Sequence, residues 1–191
     1  SRDTRDNFFI PSRGNRTSAT ASLAGGPFMG DTDIYSLELR SAQHWPVWRS
    51  HVFSLRGRIA TVDYYGDSDR VPIFDRYFLG GPYNLRGFRF RDVGPVDEDE
   101  EPVGGLTVWF GSAEYTVPVV KSIRLAAFYD MGYVLEEAFD IGSSYNSDAG
   151  VGVRFDIPMF PLRFDYAWPL ETDDHNRRSS PRFSFMIGHV F

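Results

Sequence analysis

The side chains most able to perform chemistry in this chain are its four histidines and an arginine in a glycine-rich segment. The histidines form no metal-binding motif such as HExxH, because they are spread along the chain at His44, His51, His175 and His189. The sequence contains no G-x-S-x-G nucleophile elbow. Ser184 and His189 fall on opposite faces of one predicted strand, which argues against a nucleophile and its base. The sequence therefore predicts a protein that is not an enzyme and has no cofactor or metal site.

The arginine is Arg86, in the segment FLGGPYNLRGF at residues 78–88. A glycine pair followed by an Arg-Gly step between apolar residues predicts a compact turn that presents the arginine. A guanidinium offers a rigid fork of donors that matches a carboxylate. Taken alone, however, the segment is more typical of a surface turn with a solvated arginine.

This segment belongs to an unusually long connection, residues 66–105. Its length of about 40 residues is far above that of ordinary loops, so it is either functional or disordered. Acidic residues at 97–101 could attract a divalent cation, but without a fixed geometry they indicate a solvated stretch.

The composition excludes several classes of protein. The chain of 191 residues has no Cys, which excludes disulfide scaffolds, thiolate zinc sites and Cys nucleophiles. A net charge of −6 argues against nucleic-acid binding, which needs a basic face. No run approaches the roughly 18 to 20 apolar residues of a transmembrane helix. The aromatic share of 16% is high for an acidic soluble protein and needs an explanation.

Alternation of apolar and polar residues with a period of two dominates the sequence. Between residues 122 and 133 every odd position is apolar or aromatic, whereas Arg124 and Asp130 lie on the opposite face. About eight such runs are present, each about as long as a tilted strand that crosses a bilayer. They cover residues 16–24, 34–42, 52–62, 106–119, 122–133, 148–157, 162–170 and 182–191.

Alternation alone does not separate a soluble β-sandwich from a membrane barrel, but three details favour the barrel. Aromatic residues cluster near strand ends, as in an interfacial girdle. Short turns at 119–121 and 158–161 alternate with long connections, as in outer-membrane barrels. The polar faces carry charges of both signs, as a paired network in a lumen requires: Glu38, Arg40, Arg56, Arg58, Glu114, Arg124, Asp130, Arg154, Asp156, Arg163 and Asp165.

The segment at 78–88 resembles the loop signature of the BamA-type outer-membrane assembly family, within the bacterial surface antigen superfamily. Leu85 stands where that signature usually has valine. Further resemblances follow in the family's order along essentially the whole chain. They are the segment at 6–14, DVGP at 92–95, the strand with Glu114, FYDMG at 128–132, the hairpin at 152–170 with Pro158 and Pro161, and the C-terminal run from Phe183 to Phe191.

The resemblance implies an all-β, transmembrane antiparallel barrel of 16 strands. This chain would supply its C-terminal half, with an inward-folding loop at about 66–105 and no POTRA domain. An eight-stranded barrel closed on itself is a weaker alternative, because side chains alone fill its interior. In the family the loop arginine pairs with carboxylates of the inner wall, which by motif match are Asp130 and Glu114. The loop motif residues are Gly80, Gly81, Leu85, Arg86, Gly87 and Phe88.

The resemblance also implies a function, namely insertion of client β-barrels into the outer membrane of a Gram-negative-type bacterium. Expected partners are the lipid bilayer, unfolded client proteins and accessory assembly lipoproteins, and no nucleic acid. The last strand would form a lateral gate, although the same residues could equally serve only as this protein's own insertion signal. They are Phe183, Phe185, Ile187, Gly188 and Phe191. A two-partner-secretion pore of the same superfamily is the alternative function.

Overall fold

The computed structural model describes residues 1–26, 32–66, 68–142, 144–157, 160–176 and 179–188. In these ranges no helix is long and apolar enough to span a membrane. The described residues contain the 3-10 turn Ile73–Asp75 and nine strands. The strands are β1 (Arg2–Asp3), β2 (Gly14–Ala24), β3 (Ile34–Pro46), β4 (Val52–Tyr64), β5 (Thr107–Val120), β6 (Ile123–Leu135), β7 (Asn146–Phe155), β8 (Leu162–Glu171) and β9 (Arg182–Ile187).

All nine strands form one antiparallel sheet in which each strand pairs with its neighbours in chain order. The eight predicted strands are all present, and the two-residue β1 is an additional one. The strand predicted at 34–42 extends to Pro46 and therefore includes His44. The sheet is not closed, because no pairing joins β9 to β1 among the described residues.

The two faces of the sheet differ as the alternation predicts. Side chains such as Leu39, Ile59 and Val151 point outward and are exposed. Side chains at the intervening positions, such as Asp130 and Arg154, point to the concave side and are buried. This arrangement, with an apolar outside and a charged inside, is the one expected of a membrane barrel wall.

The long connection between β4 and β5, residues 65–106, folds back against the concave face. Isolated bridges between Leu79 and Val93 and between Tyr77 and Gly105 make it a narrow hairpin of its own. Its apolar side chains join those of the wall in one buried cluster, and burying each Leu or Phe contributes roughly 1.5 to 3 kcal/mol. The cluster consists of Leu79, Leu85, Phe88 and Val93 from the connection and Ala60, Val108, Phe110 and Val134 from the wall.

Candidate functional site

A tight turn at the tip of the long connection positions the predicted arginine. Gly80 has a φ of 108°, and a Cβ there would lie 2.2 Å from the Arg89 carbonyl oxygen, so only glycine fits. The Asn84 Oδ1 accepts hydrogen bonds from the backbone N–H groups of Gly80 and Leu85 at 2.8 and 2.7 Å. Gly81 N–H donates to the Leu85 carbonyl at 3.0 Å. These bonds fix the backbone immediately before Arg86.

The Arg86 side chain is 1% exposed and binds two carboxylates of the inner wall. Its Nε and Nη2 donate to Asp130 at 2.6 and 2.8 Å, and its Nη1 donates to Glu114 Oε2 at 2.8 Å. The guanidinium carbon lies 3.3 Å from the centre of the Phe128 ring, a contact that the sequence did not indicate. The structure therefore brings Arg86 together with both carboxylates named from the sequence, and adds an aromatic surface beneath it.

Two further arginines share these carboxylates. Arg154 donates to Glu114 Oε2 at 2.8 Å and to Asp165 Oδ1 at 2.6 Å. Arg163 donates to the same Glu114 oxygen at 3.1 Å. Glu114 thus lies at the centre of a buried network of three arginines, and Asp165 connects β8 to it. Removing one partner from such a network leaves an uncompensated buried charge, which typically costs about 3 to 5 kcal/mol.

Another buried carboxylate, that of Asp148, holds the backbone of the motif, and the sequence did not indicate this contact. Gly87 N–H donates to Asp148 Oδ2 at 2.9 Å. A Cβ on Gly87 would lie 2.7 Å from the Asp148 Cβ and 3.2 Å from the Pro169 nitrogen, which explains why the motif has glycine here. Asp148 is fully buried and lies opposite Asp130 across the β6–β7 pair. The only available signal was its place on the polar face of a predicted strand.

The connection between β8 and β9 binds the return strand of the long hairpin, next to the bridge between Leu79 and Val93. The buried Asn176 amide donates to the Asp92 carbonyl at 2.7 Å and to Asp173 Oδ1 at 3.0 Å. Asp173 N–H in turn donates to Asn146 at the start of β7 at 3.0 Å. The hairpin is therefore attached at Arg86, at Gly87 and at Asp92, by strands β5, β6 and β7 and by the connection between β8 and β9.

The predicted residues of the last strand lie on the edge of the sheet, away from the arginine network. β9 pairs only with β8 among the described residues, over six positions. Its outward side chains Phe183, Phe185 and Ile187 are exposed, and Gly188 N–H donates to the Pro161 carbonyl at 2.9 Å. Phe191 lies outside the described residues, as do Pro158 and His189.

The acidic residues at 97–101 form a turn in the described structure. Asp97 Oδ1 accepts hydrogen bonds from the backbone N–H groups of Asp99 and Glu101 at 3.0 and 2.9 Å. In the described part of the chain no three His, Asp or Glu side chains are grouped so as to hold a metal ion.

Comparison with known proteins agrees with this architecture. The model of the Omp85 superfamily domain matches residues 1–191. The chain belongs to the Omp85 superfamily. It is 32% identical to the outer membrane protein assembly factor BamA of Nitratidesulfovibrio vulgaris over 100% of its own length and 24% of that protein. The family, the all-β barrel class and the outer-membrane location predicted from the sequence are therefore confirmed.

Two solved structures share the fold. The crystal structure of BamA from Haemophilus ducreyi lacking POTRA domains 1–3 superimposes with a TM-score of 0.80 at 20% identity, over 97% of this chain and 40% of that one. CdiB from Acinetobacter baumannii gives a TM-score of 0.55 at 20% identity, over 82% of this chain and 27% of that one. The chain thus spans well under half the length of the proteins it matches.

Proposed function

We propose that this chain forms the C-terminal half of a 16-stranded outer-membrane barrel that inserts client β-barrel proteins. The observation that carries the proposal is the Arg86 fork, buried between Asp130 and Glu114 on the inner wall. The similarity over the whole chain to a protein named as an assembly factor supports the same role. The protein acts by binding and guiding unfolded clients in the membrane, with accessory lipoproteins as partners, and not as an enzyme.

The role of the arginine network in this proposal is to hold the long hairpin in one position inside the lumen. Three attachments at Arg86, Gly87 and Asp92 fix both its tip and its return strand. Buried charge pairs favour a single geometry, because any other arrangement leaves a charge unpaired. A fixed hairpin keeps the lumen filled and the inner wall rigid while the edge of the sheet engages a client.

The edge of the sheet that engages a client is β9, which serves as one side of a lateral gate. It is shorter than its neighbour β8, and its outward residues Phe183, Phe185 and Ile187 face lipid. An unpaired strand edge is a template for another strand. We propose that a client strand pairs there before it enters the bilayer, and that Gly188 and Phe191 complete the terminal signal of this strand.

Depletion of the full-length protein tests the assembly role. The steady-state amounts of many outer-membrane proteins should fall together, and should be restored by the wild type and by Arg89→Ala but not by Arg86→Ala. Arg89 is the matched control, because it is exposed beside the motif. Unchanged amounts of outer-membrane proteins after depletion would contradict the assembly role.

A polypeptide-secretion pore is the second candidate, favoured by the shared fold of CdiB. The two candidates differ in what depletion and conductance reveal. A pore gives a large steady conductance in planar bilayers, and its depletion abolishes the export of one dedicated partner. An assembly barrel affects many outer-membrane proteins at once.

A further inference from the structure

The connection between β6 and β7 folds back over the outer face of the sheet. It starts after Leu135 and crosses β5 to reach β4, where Phe139 N–H donates to the Thr61 hydroxyl at 3.2 Å. That hydroxyl also lies 3.1 Å from the hydroxyl of Thr107, the register partner of Thr61 on β5. Both threonines occupy outward positions of their strands but are buried. The connection therefore lies against the lipid-facing wall instead of extending into water.

Two apolar side chains of this connection are turned toward the membrane. Phe139 is 56% exposed and Ile141 is 67% exposed, although the connection also carries Glu136, Glu137 and Asp140. Phe139 has a φ of 60°, a conformation that bulky residues rarely adopt. Strained residues of this kind persist where the surrounding structure holds them, and they cluster at ligand-binding segments.

A groove opens between this connection and the strands below it. Its volume is about 560 Å³, within the range of about 300 to 1,000 Å³ that ligand pockets occupy. Of its polar lining residues, Thr61, Thr107 and Asp140 lie at the end of the sheet that bears the long connections, and Thr20 and Glu38 lie on β2 and β3. Small alanines on β2 give the groove depth. The apolar lining consists of Ala19, Ala21, Leu37, Leu39, Ile59, Phe139 and Ile141.

We propose that this groove holds one acyl chain of a membrane lipid, with Phe139 and Ile141 closing over it. The groove is continuous with the exposed apolar side chains Leu37, Leu39 and Ile59, which face the bilayer in an outer-membrane barrel. Hydrocarbon is therefore the medium that fills it, because transfer of these surfaces into water is unfavourable. The polar residues at one end of the groove match the headgroup end of the lipid.

Native mass spectrometry of the full-length protein tests this site. The protein is incubated with dimyristoyl phosphatidylethanolamine, whose headgroup carries an ammonium group, in a mild detergent, and the fraction that retains one lipid after activation is measured. Ala21→Phe fills the groove, whereas Ala127→Phe makes the same change at an exposed outward position of β6 that does not line it. Phe139→Gly removes the covering ring and suits a φ of 60°, so it adds no strain to the folded backbone.

The wild type and Ala127→Phe should retain one lipid to the same extent. Ala21→Phe and Phe139→Gly should lower the lipid association constant about tenfold or more, which corresponds to about 1.4 kcal/mol. Heat-modified gel mobility verifies that each variant is folded. Equal retention by all four proteins, or no retention by the wild type, would overturn the proposal.

Discussion

Replacing Arg86 by lysine keeps the positive charge but removes the planar fork. In the structure the fork donates three hydrogen bonds of 2.6 to 2.8 Å, two to Asp130 and one to Glu114. An ammonium group is a single point of charge and cannot donate to Asp130 in a bidentate manner while also reaching Glu114. Each hydrogen bond to a charged group contributes about 1.5 to 3 kcal/mol. The loss of at least one of them, and of the flat contact with Phe128, should destabilise the fold by about 2 to 4 kcal/mol.

The assay is the temperature at which the compact band of the unboiled, full-length protein disappears from a gel. At about 2 °C per kcal/mol, the scale for domains at the larger end, Arg86→Lys should melt at least ~4 °C below the wild type. Arg89→Lys makes the same change at an exposed neighbour and should melt with the wild type. If Arg86→Lys and Arg89→Lys melt at the same temperature, the fork geometry contributes nothing and the reasoning is wrong.

Three further substitutions test the other attachments of the hairpin. Gly87→Ala should overpack the motif, reduce the free energy of unfolding by about 1 to 3 kcal/mol and lower the melting temperature. The control Gly111→Ala should melt as the wild type, since the nearest atom to its Cβ would be Met131 Cγ at 3.6 Å. Asp148→Leu leaves the Gly87 N–H unpaired and should destabilise the folded protein by about 1 to 3 kcal/mol in the same assay. Asp148→Asn keeps the acceptor for that N–H and removes the charge next to the buried Asp130, so this variant should melt no lower than the wild type. Asn176→Ala removes the hydrogen bond to Asp92 and should speed tryptic cleavage within the long hairpin of the folded protein; an unchanged cleavage rate would rule out this attachment.

The strands could be predicted from the sequence because the two faces of this sheet meet different surroundings. Lipid selects apolar side chains outside, and the arginine network selects charged ones inside, so the alternation survives along each strand. The strand predicted at 122–133 is β6, Ile123–Leu135. The strand ends were predicted less accurately, because residues such as His44 continue β3 beyond the last clear alternation of apolar and polar side chains.

The contacts that hold the hairpin could be predicted only in part. Asp130 and Glu114 lie on the predicted polar face, and a family resemblance paired them with Arg86. Asp148 lies on the same face, but its bond to Gly87 depends on the strand register and on the path of the hairpin, which no local pattern encodes. The hydrogen bond from Asn176 to Asp92 also depends on the path of the hairpin, because the two residues are 84 positions apart in the chain.

The outward fold of the β6–β7 connection was equally hidden from the sequence. Phe139 lies in a predicted long connection, where an apolar residue gives no indication of the surface it covers. Thr61 and Thr107 lie beneath that connection as buried hydroxyls at outward strand positions, and the sequence does not show that they are covered.

A double-mutant cycle on Arg86 and Asp130 tests whether their pairing supports the proposed insertion of client barrels. Full-length wild type, Arg86→Ala, Asp130→Ala and the double variant are reconstituted in proteoliposomes, and the initial rate of client barrel folding is measured. If the two residues act as one unit, each single change should lower the rate by about tenfold or more, and the double variant should be no slower than the slower single variant. Single variants that insert clients at the wild-type rate, or losses that multiply in the double variant, would show that the pair does not act as a unit in insertion.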